Sequence, residues 1–203
     1  MNAVQTEQTV LKRTVDVGVL TAKDAVDLCA VGPTLRASGV KNDVRADDPY
    51  AAYGDVPFDV ITHDTGDVFA RIMVRVKELL ECVKISRYAL EHLPAGMIRA
   101  KTPMAVPTGE VVSRVEAPRG ELIHYIKSNG TTKPERYKVR SPTLGNIPAL
   151  CKTLMGSHLA DVPIILAGID PCFSCMDRMV FIDVRSNDNW VSTMQELKRH
   201  ASK

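Results

Sequence analysis

The stretch EVVSRVEAPRGELIHYIKSNGTTKPERYKVR, residues 110–140, decides the fold class. Its β-branched and aromatic residues fall into three short runs, Glu110–Val115, Glu121–Lys127 and Pro134–Arg140. Asn129-Gly130, between the second and third runs, is a strong hairpin signal, because both residues tolerate the positive φ that a tight turn demands. The link EAPRG (116–120) joins the first two runs and is punctuated by Pro and Gly. Short runs joined by short links predict a three-stranded antiparallel sheet.

Helical patterns flank this sheet. Within Gly66–Leu93, residues Phe69, Ile72, Met73, Val76, Leu79, Leu80 and Val83 recur at spacings of three and four. That spacing predicts one long helix with a single apolar stripe, and places Arg71, Arg75, Lys77, Glu78 and Glu81 on its other faces. Pro94 and Gly96 end it. After the sheet, NIPALCKTLMGSHLA (146–160) reads as a helix with Ile147, Leu150, Cys151 and Leu154 on one side. Asp161 is placed to cap VPIILAG (162–168), with Pro163 tolerated in the first turn. Nearer the start, Thr21 caps a short helix, AKDAVDLCAV (22–31), which Gly32-Pro33 ends. RASGVKNDVRADDPYAAYGDVPFD (36–59) reads as a charged loop. The expected class is α+β and mainly helical, with long helices and a small three-stranded antiparallel sheet.

Composition bounds the function. The 203 residues are 45% hydrophobic and 25% charged, the balance of a soluble globular domain. A net charge of +2 and 5% aromatic residues give no basic or stacking surface for nucleic acid. The longest apolar run, VPIILAGI (162–169), is too short to span a bilayer. MNAVQTEQTVLKR (1–13) lacks the apolar core of a secretory signal, so a cytoplasmic location is expected. Five cysteines without a signal do not make a disulfide framework.

Chemistry concentrates in AGIDPCFSCMDRMV (167–180). A C-x-x-C pair serves dithiol exchange, half a zinc site, or half a site for a soft metal such as nickel or iron. Dithiol exchange is the weakest fit, since no βαβ pattern precedes the pair. A complete zinc site is also unsupported, because Cys29, Cys82 and Cys151 are scattered and read as packing residues. The pair Cys172 and Cys175 is flanked by Asp170, Asp177 and Arg178, poor core composition, which favours a metal or redox role over packing. In EAPRG, Arg119 beside Gly120 can bring a guanidinium and bare backbone close to a ligand, with Asp170 as a partner that fixes its direction. Taken alone, such a turn is more often simply solvated.

DPCFSCMDRM (170–179) resembles the C-terminal metal-binding motif of nickel–iron hydrogenase large subunits, in the form found in the membrane-linked, energy-converting group that includes formate hydrogenlyase. RTVDVGVLTAKDAVDL, VGPTLRASGVKNDVRADDPYAAY, GDVFARIMVRVKELLE, LPAGMIRA, VEAPRGELIHYIKSNGTTKPERYKVRSPTLGNIPAL and ADVPIILAGIDPC look like successive blocks of the same family, from about Arg13 to Arg178. They are also similar to the homologous quinone-site subunit of respiratory complex I. The resemblance implies a hydrogenase large-subunit-like fold and an oxidoreductase that interconverts dihydrogen and protons at a NiFe centre carrying CO and cyanide ligands. It implies Cys172 as a terminal thiolate on nickel and Cys175 as a bridging one. Arg119 would overhang the centre, Asp170 would support it, and Thr143 would hydrogen-bond a cyanide on iron.

The family carries a further R-x-C-x-x-C motif before these blocks, and this sequence has none. The expected partners are therefore a chain bearing that half, an iron–sulfur small subunit with its clusters, and membrane ion-translocating subunits, the whole lying peripherally on the inner face of the membrane. Residues 1–178 are expected to form the C-terminal half of a large-subunit-like domain. Residues 179–203, in which MVFIDV is β-leaning and VSTMQELKRH helical, are expected to be a removable extension cut after Arg178 by a maturation protease. Two other readings stay open: a complex-I-like NADH/quinone oxidoreductase subunit without nickel, and a non-catalytic scaffold whose cysteine pair holds zinc.

Overall fold

The computed structural model describes residues 6–99, 101, 102, 104–176, 178–182 and 189–201. It divides into two units, 1–170 and 171–203. In the first, α1 (Gln8–Thr14), α2 (Ala22–Asp27), α3 (Pro33–Arg36) and α4 (Val44–Asp47) precede the 24-residue α5 (Val68–Glu91). Strands β1 (Gly109–Ala117), β2 (Gly120–Ser128) and β3 (Arg136–Arg140) follow, then α6 (Pro142–Leu154), a short 3-10 turn and α7 (Val162–Gly168).

The predicted sheet is present, antiparallel, in the order β1-β2-β3. Val112 faces Tyr125 across the first pair, and Tyr125 faces Lys138 across the second. The first two strands run further than the sequence suggests, whereas β3 begins at Arg136 rather than Pro134. Ala117 pairs with Gly120, which shrinks the first link to Pro118-Arg119 alone.

Caps explain the helix starts. The Thr21 hydroxyl accepts from Asp24 N at 3.1 Å, and Asp67 Oδ1 accepts from Ala70 N at 2.7 Å. Helix α2 stops earlier than its sequence predicts, because Cys29 turns the chain at φ +53°. Gly32-Pro33, read as a stop, instead opens α3 with proline in the first turn. The supposed loop that follows holds α4, capped by Asp43. Asp161 stands at the N-cap of α7 as expected, but its side chain makes no capping bond and instead lies near Arg13, at 3.5 Å.

The core is built from small and branched residues. Leu20, Ala25, Ala30, Leu35 and Ala149 form one cluster, and Val68, Leu150, Ile165 and Ile169 a second. Each fully buried isoleucine stabilises by about 1.5–3 kcal/mol. A third cluster, Ala37, Ala70 and Val74, lets α3 and α5 approach closely.

The buried side of α5 keeps Met73 of the predicted stripe, with Ile72 packed against the core, but otherwise departs from it. Val68, Ala70, Arg71, Met73 and Val74 are buried, whereas Leu79, Leu80 and Val83 are exposed. Arg71 goes inside because its guanidinium donates to the carbonyls of Gly66 (3.0 Å) and Gly18 (2.6 Å). Cys151, expected to pack, is exposed, while Leu150 beside it is buried. Among the described residues, no helix is long and apolar enough to cross a membrane.

The second unit holds a 3-10 turn (Phe173–Met176), an antiparallel pair β4 (Arg178–Ile182) and β5 (Asn189–Thr193), and α8 (Met194–Ala201). Asp177 lies outside the described residues.

Candidate functional site

Two glycines place the β1–β2 turn. Gly32, at the start of α3, has φ +65° and Gly120 has φ +128°. A Cβ on Gly32 would stand 2.3 Å from Gly120 Cα, and one on Gly120 would stand 2.8 Å from Val31 Cγ2. Bare backbone on both sides is therefore required. Asn146 of α6 secures the same corner, accepting from Val31 N at 2.9 Å and donating to Val31 O at 3.2 Å. Thr143 sits one turn earlier on that helix and is buried.

The turn thus held projects Arg119, whose Nε donates to the Asp170 carbonyl at 2.7 Å and lies 3.2 Å from Oδ2. Its Nη2 donates to Oδ1 at 3.3 Å. Asp170 follows α7 in a left-handed turn, φ +55°. That turn aims both its carbonyl and its carboxylate at one guanidinium. Arg119 and Asp170, 51 residues apart, are thus brought together as their sequence setting suggests. About a third of the Arg119 side chain stays exposed, leaving donors for a ligand.

Behind the turn lies an ionic network that the sequence did not reveal. Arg36, only 1% exposed, donates from Nε to Glu78 at 2.7 Å and from Nη1 to Glu116 at 2.8 Å. Asp43 lies 3.6 Å from Arg36 and accepts from Arg45 at 2.6 Å. Burial alone would raise the Asp43 carboxyl, but Arg45 and Arg36 outweigh it and hold it below its ordinary value. Burial would likewise lower Arg36; the charges of Glu78, Glu116 and Asp43 instead raise it. Glu116 goes the other way, pushed up by burial against the pull of Arg36. Arg71 has no such carboxylate network, and burial pulls it down to about 10.

A cleft of about 390 Å³ joins these groups, lined by Arg36, Tyr53, Arg75, Glu78, Glu116 and Asp170 among others. Arg75 donates to Gly168 O at 2.8 Å, which anchors the end of α7 just before Asp170. Neither Arg36 nor Glu116 stood out in the sequence. The only available signals were Gly32-Pro33 and Arg119-Gly120, glycines beside which backbones meet.

In the second unit, Cys172 and Cys175 share one short turn: Cys175 N donates to Cys172 O at 3.0 Å, and Cys172 Sγ lies 3.0 Å from Ser174 Oγ. Hydrogen bonds from Ser174, then from Cys175, pull the Cys172 thiol down to about 7. A thiol that ionises near neutrality is a competent soft-metal donor. Among the described residues, no group of three or more His, Cys, Asp or Glu could hold a metal.

The profile of the family "Respiratory-chain NADH dehydrogenase, 49 Kd subunit" matches residues 1–106 and 98–178, and the chain belongs to that family. It is 44% identical over 174 residues to the carbon monoxide-induced hydrogenase of Rhodospirillum rubrum, covering 86% of this chain and 48% of the relative. It is equally similar, 44% over 177 residues with the same coverage, to an NADH-quinone oxidoreductase subunit of Dehalococcoides mccartyi. To formate hydrogenlyase subunit 5 of Escherichia coli it is 36% identical over 190 residues, 94% of this chain and 33% of that one. The chain spans about half the length, or less, of these curated relatives.

Proposed function

We propose that this chain is part of the catalytic large subunit of a membrane-associated hydrogenase complex of hydrogenase large-subunit fold. The carrying observation is the thiol pair Cys172 and Cys175, set in one turn with Cys172 ready to ionise near neutrality. Similarity to a carbon monoxide-induced hydrogenase and to a formate hydrogenlyase subunit supports it. When bound, a nickel–iron group would supply the redox chemistry that interconverts dihydrogen and protons.

Cys172 and Cys175 would hold that group, Cys172 as a terminal and Cys175 as a bridging thiolate. The other two thiolates would come from a chain bearing the R-x-C-x-x-C half. Arg119, oriented by Asp170, keeps N–H donors available to a small polar molecule. Thr143 would donate its hydroxyl to a ligand on iron. Electrons would leave through the clusters of an iron–sulfur subunit, with the assembly peripheral on the inner face of the membrane beside ion-translocating subunits. A maturation protease would cut after Arg178. Mass spectrometry of protein matured in its native host tests that cut: a terminus at Arg178 supports it, and metal-loaded protein that retains Lys203 refutes it.

A second reading has an observation of its own, the equal similarity to an NADH-quinone oxidoreductase subunit. In that case the chain would border a quinone site and hold no nickel. Metal analysis of the assembled complex separates the two: stoichiometric nickel supports the hydrogenase reading. Its absence from a complex that still reduces quinone supports the other.

A further inference from the structure

The cleft beside Arg119 contains more acid–base machinery than the positioning of one arginine requires. Its volume, about 390 Å³, accommodates several water molecules at roughly 30 Å³ each. Two of its carboxylates, Glu116 and Glu78, share the guanidinium of Arg36, at 2.8 and 2.7 Å. Glu116 is 4% exposed and Glu78 16%, so the pair steps outward from the interior. Arg75 Nε and Nη2 are buried without a protein acceptor among the described residues. Donors buried in this way call for an acceptor, and a cleft of this size admits water as one. Glu116 lies three residues before Arg119, at the end of β1.

We infer that this cleft is a proton conduit, in which Glu116 and Glu78, linked by cleft water, carry protons between the neighbourhood of Arg119 and solvent. The inference rests on the reading that the chemistry at Arg119 takes up or releases protons, which holds for hydrogen conversion and for quinone reduction alike. A proton entering from the Arg119 side adds to the Glu116 carboxylate and makes it a carboxylic acid. It then leaves through water to Glu78 and the bulk, which restores the carboxylate; the reverse path supplies protons. No electron moves and neither glutamate is consumed.

The surroundings of Glu116 suit a carrier. Arg36 faces it from α3, Asp43 and Arg45 from α4, and Glu78 from α5 through Arg36. Val44 N donates to it at 3.3 Å, and Tyr50 holds its backbone N–H at 3.2 Å. Burial raises its carboxyl, Arg36 opposes that rise, and the nearby charge of Asp43 adds to it. A carboxyl raised in this way gains and loses a proton more readily near neutral pH than an exposed one.

Isotope-edited infrared titration of the full chain carrying ¹³C-glutamate tests the carrier without any metal. The expected result is a protonated-carboxyl band that persists above the pH range of exposed glutamates and vanishes in Glu116→Gln. A wild-type spectrum without that band overturns the inference. In the assembled complex, Glu116→Gln should slow turnover about 10-fold or more and raise the solvent deuterium isotope effect. Glu78→Gln should do so more weakly, and Glu116→Asp should recover much of the rate. Unchanged turnover and isotope effect in both glutamine variants would also overturn it. A complex without nickel would defeat the hydrogenase reading and leave the titration result standing.

Discussion

Gly32 and Gly120 meet so closely that a methyl group on Gly32 would stand 2.3 Å from the Gly120 Cα. This contact presses the two-residue turn carrying Arg119 onto the start of α3. Gly32→Ala and Gly120→Ala should each destabilise the chain, because each adds a backbone clash to a φ that alanine resists. A loss of about 1–3 kcal/mol follows from strain of that kind, read as a lowered denaturant midpoint. Gly96→Ala, with nothing within 4 Å of the added carbon, should change stability far less.

The Arg36 hub makes a second prediction. Replacing Arg36 with Met strands Glu78, Glu116 and Asp43 around an uncharged side chain, at a cost of about 3–5 kcal/mol. Glu116 gives the pH signature. Its folded carboxyl lies above the ordinary glutamate value of 4.5, so its contribution to stability is fully present below that value and declines as pH rises through the folded one. The stability gap between wild type and Glu116→Gln should therefore narrow as pH rises from 4.5 towards neutrality. Urea unfolding at a series of pH values measures it, and a gap that widens over that range contradicts the assignment.

Cys172 should react with a thiol-alkylating reagent in the metal-free chain with a midpoint near pH 7, the value at which its thiol ionises. Ser174→Ala, which removes the leading hydrogen bond, should shift that midpoint upward. Peptide mapping after timed alkylation gives both numbers.

Leu79, Leu80 and Val83 are more than half exposed on α5. Polar replacements there should change the stability of the chain itself by less than about 0.5 kcal/mol. If the chain works inside a larger assembly, Leu80→Ser and Val83→Ser should weaken co-purification with its partners while leaving the unfolding midpoint in place.

The parts of the fold visible in the sequence were those set by local rules. The sheet was legible because Asn129-Gly130 and the β-branched runs specify a hairpin without help from elsewhere. Thr21 was legible as a cap for the same reason, and the length of α5 followed from its period. The buried face of α5 was not legible. Arg71 is inside because Gly18 O, 53 residues away, accepts from it. Arg36 is inside because Glu116, 80 residues on, neutralises it. No local pattern announces such partners, so charged residues default outward. Cys151 was misplaced for a related reason: α6 begins at Pro142, and Ala149, Leu150 and Thr153 take the inward face. β5 was missed, and its Val191-Ser192-Thr193 read as the start of the last helix, because NWVST carries no alternation strong enough to mark a strand. At the site, Arg119 and Asp170 were legible through the glycine and proline beside them, whereas Glu116 became visible only with its partners in place.

The most direct test of a thiolate-held nickel centre is X-ray absorption at the nickel edge of the complex purified from its native host. The expected result is nickel in a sulfur-rich environment, lost when Cys172 or Cys175 is changed to serine. A fully assembled, active complex with no nickel, or with nickel whose sulfur ligation survives both substitutions, would contradict it.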